Sequence, residues 1–315
     1  MSTDGGPARA ASRVAILLAT HDGGRYLPAQ LDSLAAQEYP HWQVWASDDG
    51  SSDDTPAILE QRRQDWPNGR LHLLAGPGQG STANFLGLAA HTGIAADYFA
   101  FADQDDLWDA DKLVRAVAWL DSQPRDLPAL YCGRTRLIDA AGRPLGQSPL
   151  YRRPPSFANA LVQNIAGGNT MVFNQAARRL IALGDPTRVV VHDWWAYLIV
   201  AGAGGRVHFD PLPALSYRQH GANLIGSGAG LRAWLGRAAA MLQGRQRAWH
   251  ERHLSMLTEV EGELGVPQRA VLAQFLEARD GGPWQRLRGL RAAGIYRQTA
   301  SQDAFLLLAA VLGRI

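Results

Sequence analysis

Between residues 14 and 102, short apolar runs alternate with stretches of helical spacing, and this alternation restricts the fold more than any other feature of the chain. Residues 14–19 (VAILLA) form a continuous apolar run, as expected of a strand buried on both faces of a parallel sheet. Residues 26–37 place Leu27, Leu31 and Leu34 on one helical face. A second strand is predicted at 43–47 and a helix at 55–64, with Pro56 in its first turn. A third strand follows at 71–74, then a helix from Ser81 to about residue 92, then a fourth strand at 98–102. This β-α-β-α-β-α-β order predicts an α/β fold with a mostly parallel central sheet flanked by helices. Such sheets bind ligands beyond the carboxyl ends of their strands. The polar clusters at 20–22, 48–49 and 103–106 all fall at such ends.

After Asp109 the pattern predicts a helix to about Leu120, a strand at 130–132, and a mobile Pro- and Arg-rich loop over 143–155. A glycine turn leads into a strand at 166–173 (AGGNTMVF), followed by helices at 175–183 and 192–201, a strand at 206–210 and the polar loop 217–223 (YRQHGAN). Beyond Gly226 the pattern becomes helical and arginine-bearing. The expected organisation is a disordered leader over 1–12, a catalytic domain over 13–225 and a helical C-terminal region over 226–315. The leader has no apolar core of the signal-peptide kind. No apolar run nears the roughly 18–20 residues needed to span a bilayer. The expected location is therefore cytoplasmic, with a peripheral position at the inner face of the membrane as an option.

A net charge of +2 argues against a nucleic-acid partner. The charge is uneven, with 12 arginines against seven acidic residues over 226–315. Trp234, Arg237, Met241, Arg245, Trp249 and Arg252 recur at spacings of three or four. Such a face can rest on an anionic membrane or pack against the catalytic domain, and both readings stand. Lys112 is the only lysine and reads as compositional bias; Cys132 is the only cysteine, so no internal disulfide can form.

Three carboxylates in four residues at Asp103-Gln104-Asp105-Asp106 are electrostatically costly without a cation and point to a hard divalent metal. Such an ion bridges diphosphate oxygens and offsets charge on a leaving group. Asp48 and Asp49 exceed what the following turn requires, and a strand-end carboxylate can accept from a base or ribose. Asp193, in His192-Asp193-Trp194-Trp195, is either a helix cap or a general base in a partly dry pocket. Arg218 and His220 lie in a dense polar loop with Gln219 and Asn223 and could meet a diphosphate and its metal.

Taken together, VAILLATHDGGRYLPAQLDSLAAQ at 14–37, ASDDGSSDDT at 46–55, FADQDDLWDADKL at 101–113, GGNTMVFN at 167–174, HDWW at 192–195 and YRQHGAN at 217–223 resemble glycosyltransferase family 2. That family has the GT-A fold, a Rossmann-like α/β architecture. The D-Q-D-D-x-W form, with HDWW and YRQH, is most similar to its rhamnosyltransferase-like branch, which often uses dTDP-L-rhamnose. The resemblance implies nucleotide contacts from Thr20, Asp22, Asp49 and Asp48, and an approach of Asp103 to ribose or sugar. It implies Mg²⁺ or Mn²⁺ on Asp105 with His220 near by, Gly168 and Asn169 lining the sugar pocket, and Asp193 as the base of an inverting displacement. Arg218 and His220 would close over the diphosphate. Trp108, Trp194 or Trp195 could wall a 6-deoxy sugar's methyl. His21 departs from the aromatic residue that many relatives carry there.

The implied function is transfer of a sugar, L-rhamnose first, to a saccharide or lipid-linked acceptor in bacterial surface polysaccharide synthesis. The alternatives are a family 2 transferase with a UDP-hexose donor and a sugar-nucleotide-binding protein without turnover. A nucleotidyltransferase would want a lysine in the first loop, where Thr20-His21-Asp22-Gly23-Gly24-Arg25 has none. A glycoside hydrolase pairs carboxylates too, but needs no diphosphate site.

Overall fold

The computed structural model describes residues 11–220 and 245–315. Four strands come first: β1 (Val14–Thr20), β2 (Trp42–Asp48), β3 (Leu71–Ala75) and β4 (Tyr98–Ala102). They are joined by α1 (Leu27–Ala35), α2 (Thr55–Asp65) and α3 (Ser81–Ala90). All pair in parallel in the order β4-β1-β2-β3, with Leu18 opposite both Ala46 and Ala102. The unbroken apolar run of β1 has a simple cause. Val14, Ile16 and Leu18 enter the core on one face of the sheet, while Ala15, Leu17 and Ala19 enter the core on the other.

The second half extends the sheet less regularly. β5 (Leu107–Trp108) and α4 (Lys112–Asp121) follow the acidic cluster. β6 (Ala129–Gly133) lies one place beyond β4, because β9 (Val172–Asn174) runs antiparallel between the two; β10 (Arg206–Asp210) closes that edge, parallel to β6. A second sheet has the order β5-β11-β7-β8, from β5, β7 (Arg136–Asp139), β8 (Pro144–Gln147) and β11 (Leu215–Gln219). Two expectations are corrected here. Residues 144–147 form a strand rather than part of a mobile loop, because the Asp139 carboxylate accepts from the N–H groups of Ala141 and Arg143 and closes a β7–β8 hairpin. The start of the polar 217–223 segment is likewise strand, parallel to β7.

Short helices α5 (Phe157–Ala160) and α6 (Gln175–Ile181) precede α7 (His192–Gly202), which is buried from Trp194 to Gly202 and is therefore apolar around its whole circumference. The C-terminal helices are α8 (Arg245–Glu259), α9 (Val266–Asp280), α10 (Pro283–Ala292) and α11 (Ala300–Val311). Leu257, Leu272, Phe275 and Ala310 join the same core as α7 and one face of the sheet. The boundary expected near 226–230 lies outside the described residues, as do Asn223, Trp234, Arg237 and Met241. Of the remaining aromatic and basic face, Arg252 donates to the carbonyls of Arg188 and Thr187, and Trp249 packs against the main core. Ser12, expected in the disordered leader, is buried and donates to Asp121. Among the described residues, no helix is long and apolar enough to cross a membrane.

Candidate active site

The carboxyl ends of β1 and β2 meet side by side, since Thr20 pairs with Asp48 in register. The Thr20 hydroxyl donates to Asp48 Oδ1 at 2.9 Å, and Asp48 Oδ2 accepts from the Ser51 N–H at 2.9 Å. Asp49 is buried and accepts from the N–H groups of Gly78 and Gly80, both at 2.7 Å. Asp22 has a left-handed backbone with φ of 46° and accepts from the Ser52 N–H at 2.7 Å. That bond leads the influences that lower its pKa. These four residues thus bind the three strand-end loops into one rim, and Asp22 remains the most open, with 45% of its side chain exposed.

The acidic loop after β4 is fastened to this rim. Gln104 accepts from the His21 N–H at 2.8 Å and donates to the His21 carbonyl at 2.9 Å. A Cβ on Gly23 would stand 2.1 Å from Gln104 Oε1, so glycine is needed for the approach. Asp105 Oδ2 lies 2.6 Å from His220 Nε2, and the His220 ring stacks on Tyr26 with centroids 5.1 Å apart. Asp106 is fully buried and accepts from Asn169 Nδ2 at 2.5 Å. Burial, then the charges of Asp103 and Asp105, push its pKa well up. Asp103 is raised to about 8 by burial first, then by Asp105 and Asp193. The two carboxylates nearest the core therefore favour protons until a cation or donor compensates them.

Arg218 sits differently from the expected diphosphate clamp. It is buried; its backbone N–H donates to Asp106 at 3.2 Å and its Nε to the Asp105 carbonyl at 2.9 Å. The guanidinium also lies over the Tyr26 ring, 4.7 Å from its centroid. It is a strut beneath the acidic loop, because β11 delivers its side chain to the protein side of Asp105. Lys112 also proves more than compositional bias. It is buried, with Nζ 3.2 Å from the Trp108 ring centroid and no hydrogen-bond partner among the described residues. Burial lowers its pKa against the opposing pull of Asp106 and Asp103. The available signal was its spacing, four residues after Trp108, in a chain whose other 30 Lys/Arg positions are arginine.

The third component is the start of α7. Asp193 Oδ1 accepts from the Trp194 N–H at 2.6 Å and Oδ2 from the Gly168 N–H at 3.3 Å. Burial raises its pKa to about 6, partly offset by those bonds. The carboxylate thus serves the helix terminus and still faces a cavity of about 470 Å³ shared with Asp103, Asn169, Gly168 and Trp194. Gly168 has no room for a side chain: a Cβ would stand 2.2 Å from His192 Nε2. His192 is stacked on Phe85 at 4.0 Å, and burial lowers its pKa to about 3, so it stays neutral. Among the three tryptophans considered for a sugar wall, Trp194 reaches the cavity, whereas Trp195 is fully buried and Trp108 lies under Lys112. A second cavity of about 470 Å³, beside Trp45 and His72, contains none of these carboxylates.

Asp105 and His220 offer one hard oxygen and one imidazole nitrogen in direct contact. Among the described residues there is no group of three or more such side chains. A pair of this kind suits a divalent cation whose remaining positions are filled by diphosphate oxygens and water, as Mg²⁺ commonly is in phosphate sites.

Residues 15–181 match the family model described as Glycosyl transferase family 2. The chain is 25% identical over 228 residues to the dTDP-rhamnosyl transferase RfbG of Shigella flexneri, covering 69% of this chain and 76% of that one. Among solved structures, TarS of S. aureus in complex with UDP-GlcNAc is similar at a TM-score of 0.55 and 14% identity, over 96% of this chain and 88% of that one. The mannosyltransferase PcManGT from Pyrobaculum calidifontis, in complex with GDP-Man and Mn²⁺, is similar at 0.52 and 18% identity, over 96% and 87%. With a mostly parallel sheet carrying its carboxylates at the strand ends and a GT-A fold shared with these transferases, the chain belongs to glycosyltransferase family 2.

Proposed function

We propose that the protein is an inverting, metal-dependent glycosyltransferase that moves L-rhamnose from dTDP-β-L-rhamnose to a saccharide or lipid-linked acceptor in surface polysaccharide synthesis. The observation that carries the reading is the Asp193 carboxylate, raised to about 6 and facing the cavity it shares with Asp103 and Asn169. A base poised just below neutral pH is ionised when needed and still basic enough to take a proton. In the proposed step the acceptor hydroxyl gives its proton to Asp193 and its oxygen bonds to the anomeric carbon. The bond from that carbon to the diphosphate breaks, and dTDP leaves. Single displacement turns a β-linked donor into an α-rhamnoside.

Asp105 and His220 would hold Mg²⁺ or Mn²⁺, which offsets negative charge on the departing diphosphate. Thr20, Asp22, Asp48 and Asp49 would receive the nucleoside at the rim, Asp22 being the most open of them. Arg218 supports the reaction by fixing the Asp105 loop from behind. Trp194 and Gly168 line the sugar pocket. The similarity to a dTDP-rhamnosyl transferase supports the donor class. One methyl in an apolar pocket contributes only about 1–3 kcal/mol of discrimination, so thymine recognition must add to it.

The test is transfer or slow donor hydrolysis with dTDP-rhamnose, UDP-glucose, UDP-GlcNAc and GDP-mannose in competition, with and without Mn²⁺. Preferential consumption of dTDP-rhamnose is expected. Preference for a UDP- or GDP-sugar would overturn the donor assignment, and binding without turnover would overturn the enzyme assignment.

A further inference from the structure

The cavity that contains Asp193 is completed by the C-terminal region. Trp249 and His250 enter it from α8, and Arg297 enters from the segment between α10 and α11. None of the three lies in the segments that resemble the family. Their state in the structure is unusual.

Arg297 Nε is buried without a hydrogen-bond partner, and its guanidinium forms no ion pair within the described residues. Asp303 attracts it electrostatically but is engaged with other donors. Asp303 accepts from Arg153 Nη1 at 2.6 Å and from the Arg297 backbone N–H at 2.5 Å. A guanidinium does not shed its proton in a protein. A partly buried cation with no carboxylate in direct contact is costly, unless a ligand completes it. Beside it, both ring nitrogens of His250 are buried without partners among the described residues. Burial, then the charges of Arg297 and Arg279, hold this imidazole neutral, with its pKa lowered to about 3. It therefore presents one N–H donor and one lone pair. Its ring stands edge-on to Trp194, with centroids 5.2 Å apart. Trp249, half-buried, adds an aromatic surface of the kind that packs on sugar rings.

We propose that Arg297 and His250 form an acceptor subsite that binds an anionic group, a carboxylate or phosphate, while Trp249 and Trp194 hold the adjoining sugar. This rests on the glycosyltransferase reading, in which the acceptor hydroxyl meets Asp193 in the same cavity. Specificity then comes from matched needs. The guanidinium has no oxyanion in direct contact among the described residues, and a neutral acceptor would leave it so. Two sources share this chemistry: an acidic sugar of the growing saccharide, or the phosphate of a carrier to which the first sugar is linked.

The test uses the full chain with dTDP and Mn²⁺ bound. Calorimetry would compare hexyl β-D-glucuronide, hexyl phosphate and hexyl β-D-glucoside as probes. At least one anionic probe is expected to bind ten times more tightly than the glucoside. The stronger of the two identifies the source: glucuronide for an acidic sugar, hexyl phosphate for a carrier phosphate. Arg297→Gln is expected to abolish that preference, and Arg297→Lys to restore part of it, while the thermal shift on adding dTDP is unchanged in both. Anionic probes that bind no better than the glucoside to the wild-type chain would overturn the proposal without any variant. So would a preference that survives Arg297→Gln. Donor hydrolysis, read separately, reports on the glycosyltransferase reading, so the two failures are distinguishable.

Discussion

Replacing Asp193 with asparagine should slow catalysis and, at neutral pH and above, stabilise the fold. The carboxylate's pKa is about 6 in the folded protein and 3.8 in its ordinary state. That difference corresponds to about 3 kcal/mol between the two protonation states. Because the folded value is the higher one, the associated stability is fully present below pH 3.8. It is lost as pH rises through 6, where the native chain must hold a desolvated charge. Asparagine never ionises. It also relieves the charge that helps raise Asp103, which acts in the same direction. Its one oxygen can serve only one of the two N–H groups that Asp193 accepts, a pH-independent loss of about 1 kcal/mol. The measurable quantity is therefore the change in stability difference between pH 4 and pH 8. Urea unfolding of both proteins should show the variant gaining about 1–3 kcal/mol over that interval. Transfer by the wild type should rise with pH up to about 6 and then level. The variant should be at least about a hundredfold slower at pH 7.5 and should lack that rise. A variant within a few-fold of wild-type rate, or one that loses relative stability between pH 4 and pH 8, would refute the assignment of Asp193 as a buried base.

Asp105→Ala should abolish transfer while leaving the melting temperature within a few degrees, since the side chain is partly open and His220 is its only side-chain partner among the described residues. Full activity in this variant, or in wild type with excess chelator, would exclude the metal role. Gly168→Ala should destabilise the protein by about 1–3 kcal/mol, because its methyl would stand 2.2 Å from His192 Nε2 and one of them must move. The same shift displaces the N–H that supports Asp193, so kcat should fall more than donor affinity; a variant with wild-type melting temperature and rate would contradict the close packing.

The succession of β1 to β4 along the chain, with helices between them, could be read directly from the sequence. A strand buried on both faces must be apolar at every position, and the helices between carry one apolar stripe, so local pattern and global position coincide. The acidic clusters at the strand ends were legible for the same reason: a strand that ends marks where its next residues emerge. Three things were decided only by the tertiary structure. β9 is three residues long, and its place between β4 and β6 depends on partners more than forty residues away on one side. Arg218 and Lys112 look alike in sequence as cations near an acidic motif, yet one supports a loop through backbone carbonyls and the other lies over a tryptophan ring. Both are buried, so only their contacts separate these roles, and contacts belong to the assembled chain. The cavity wall formed by Trp249, His250 and Arg297 matched no motif, because it is built where helices distant in sequence pack onto the core. Periodicity reports which face of an element avoids water; only packing determines which polar groups are left inside without partners, and those are the groups that a ligand must satisfy.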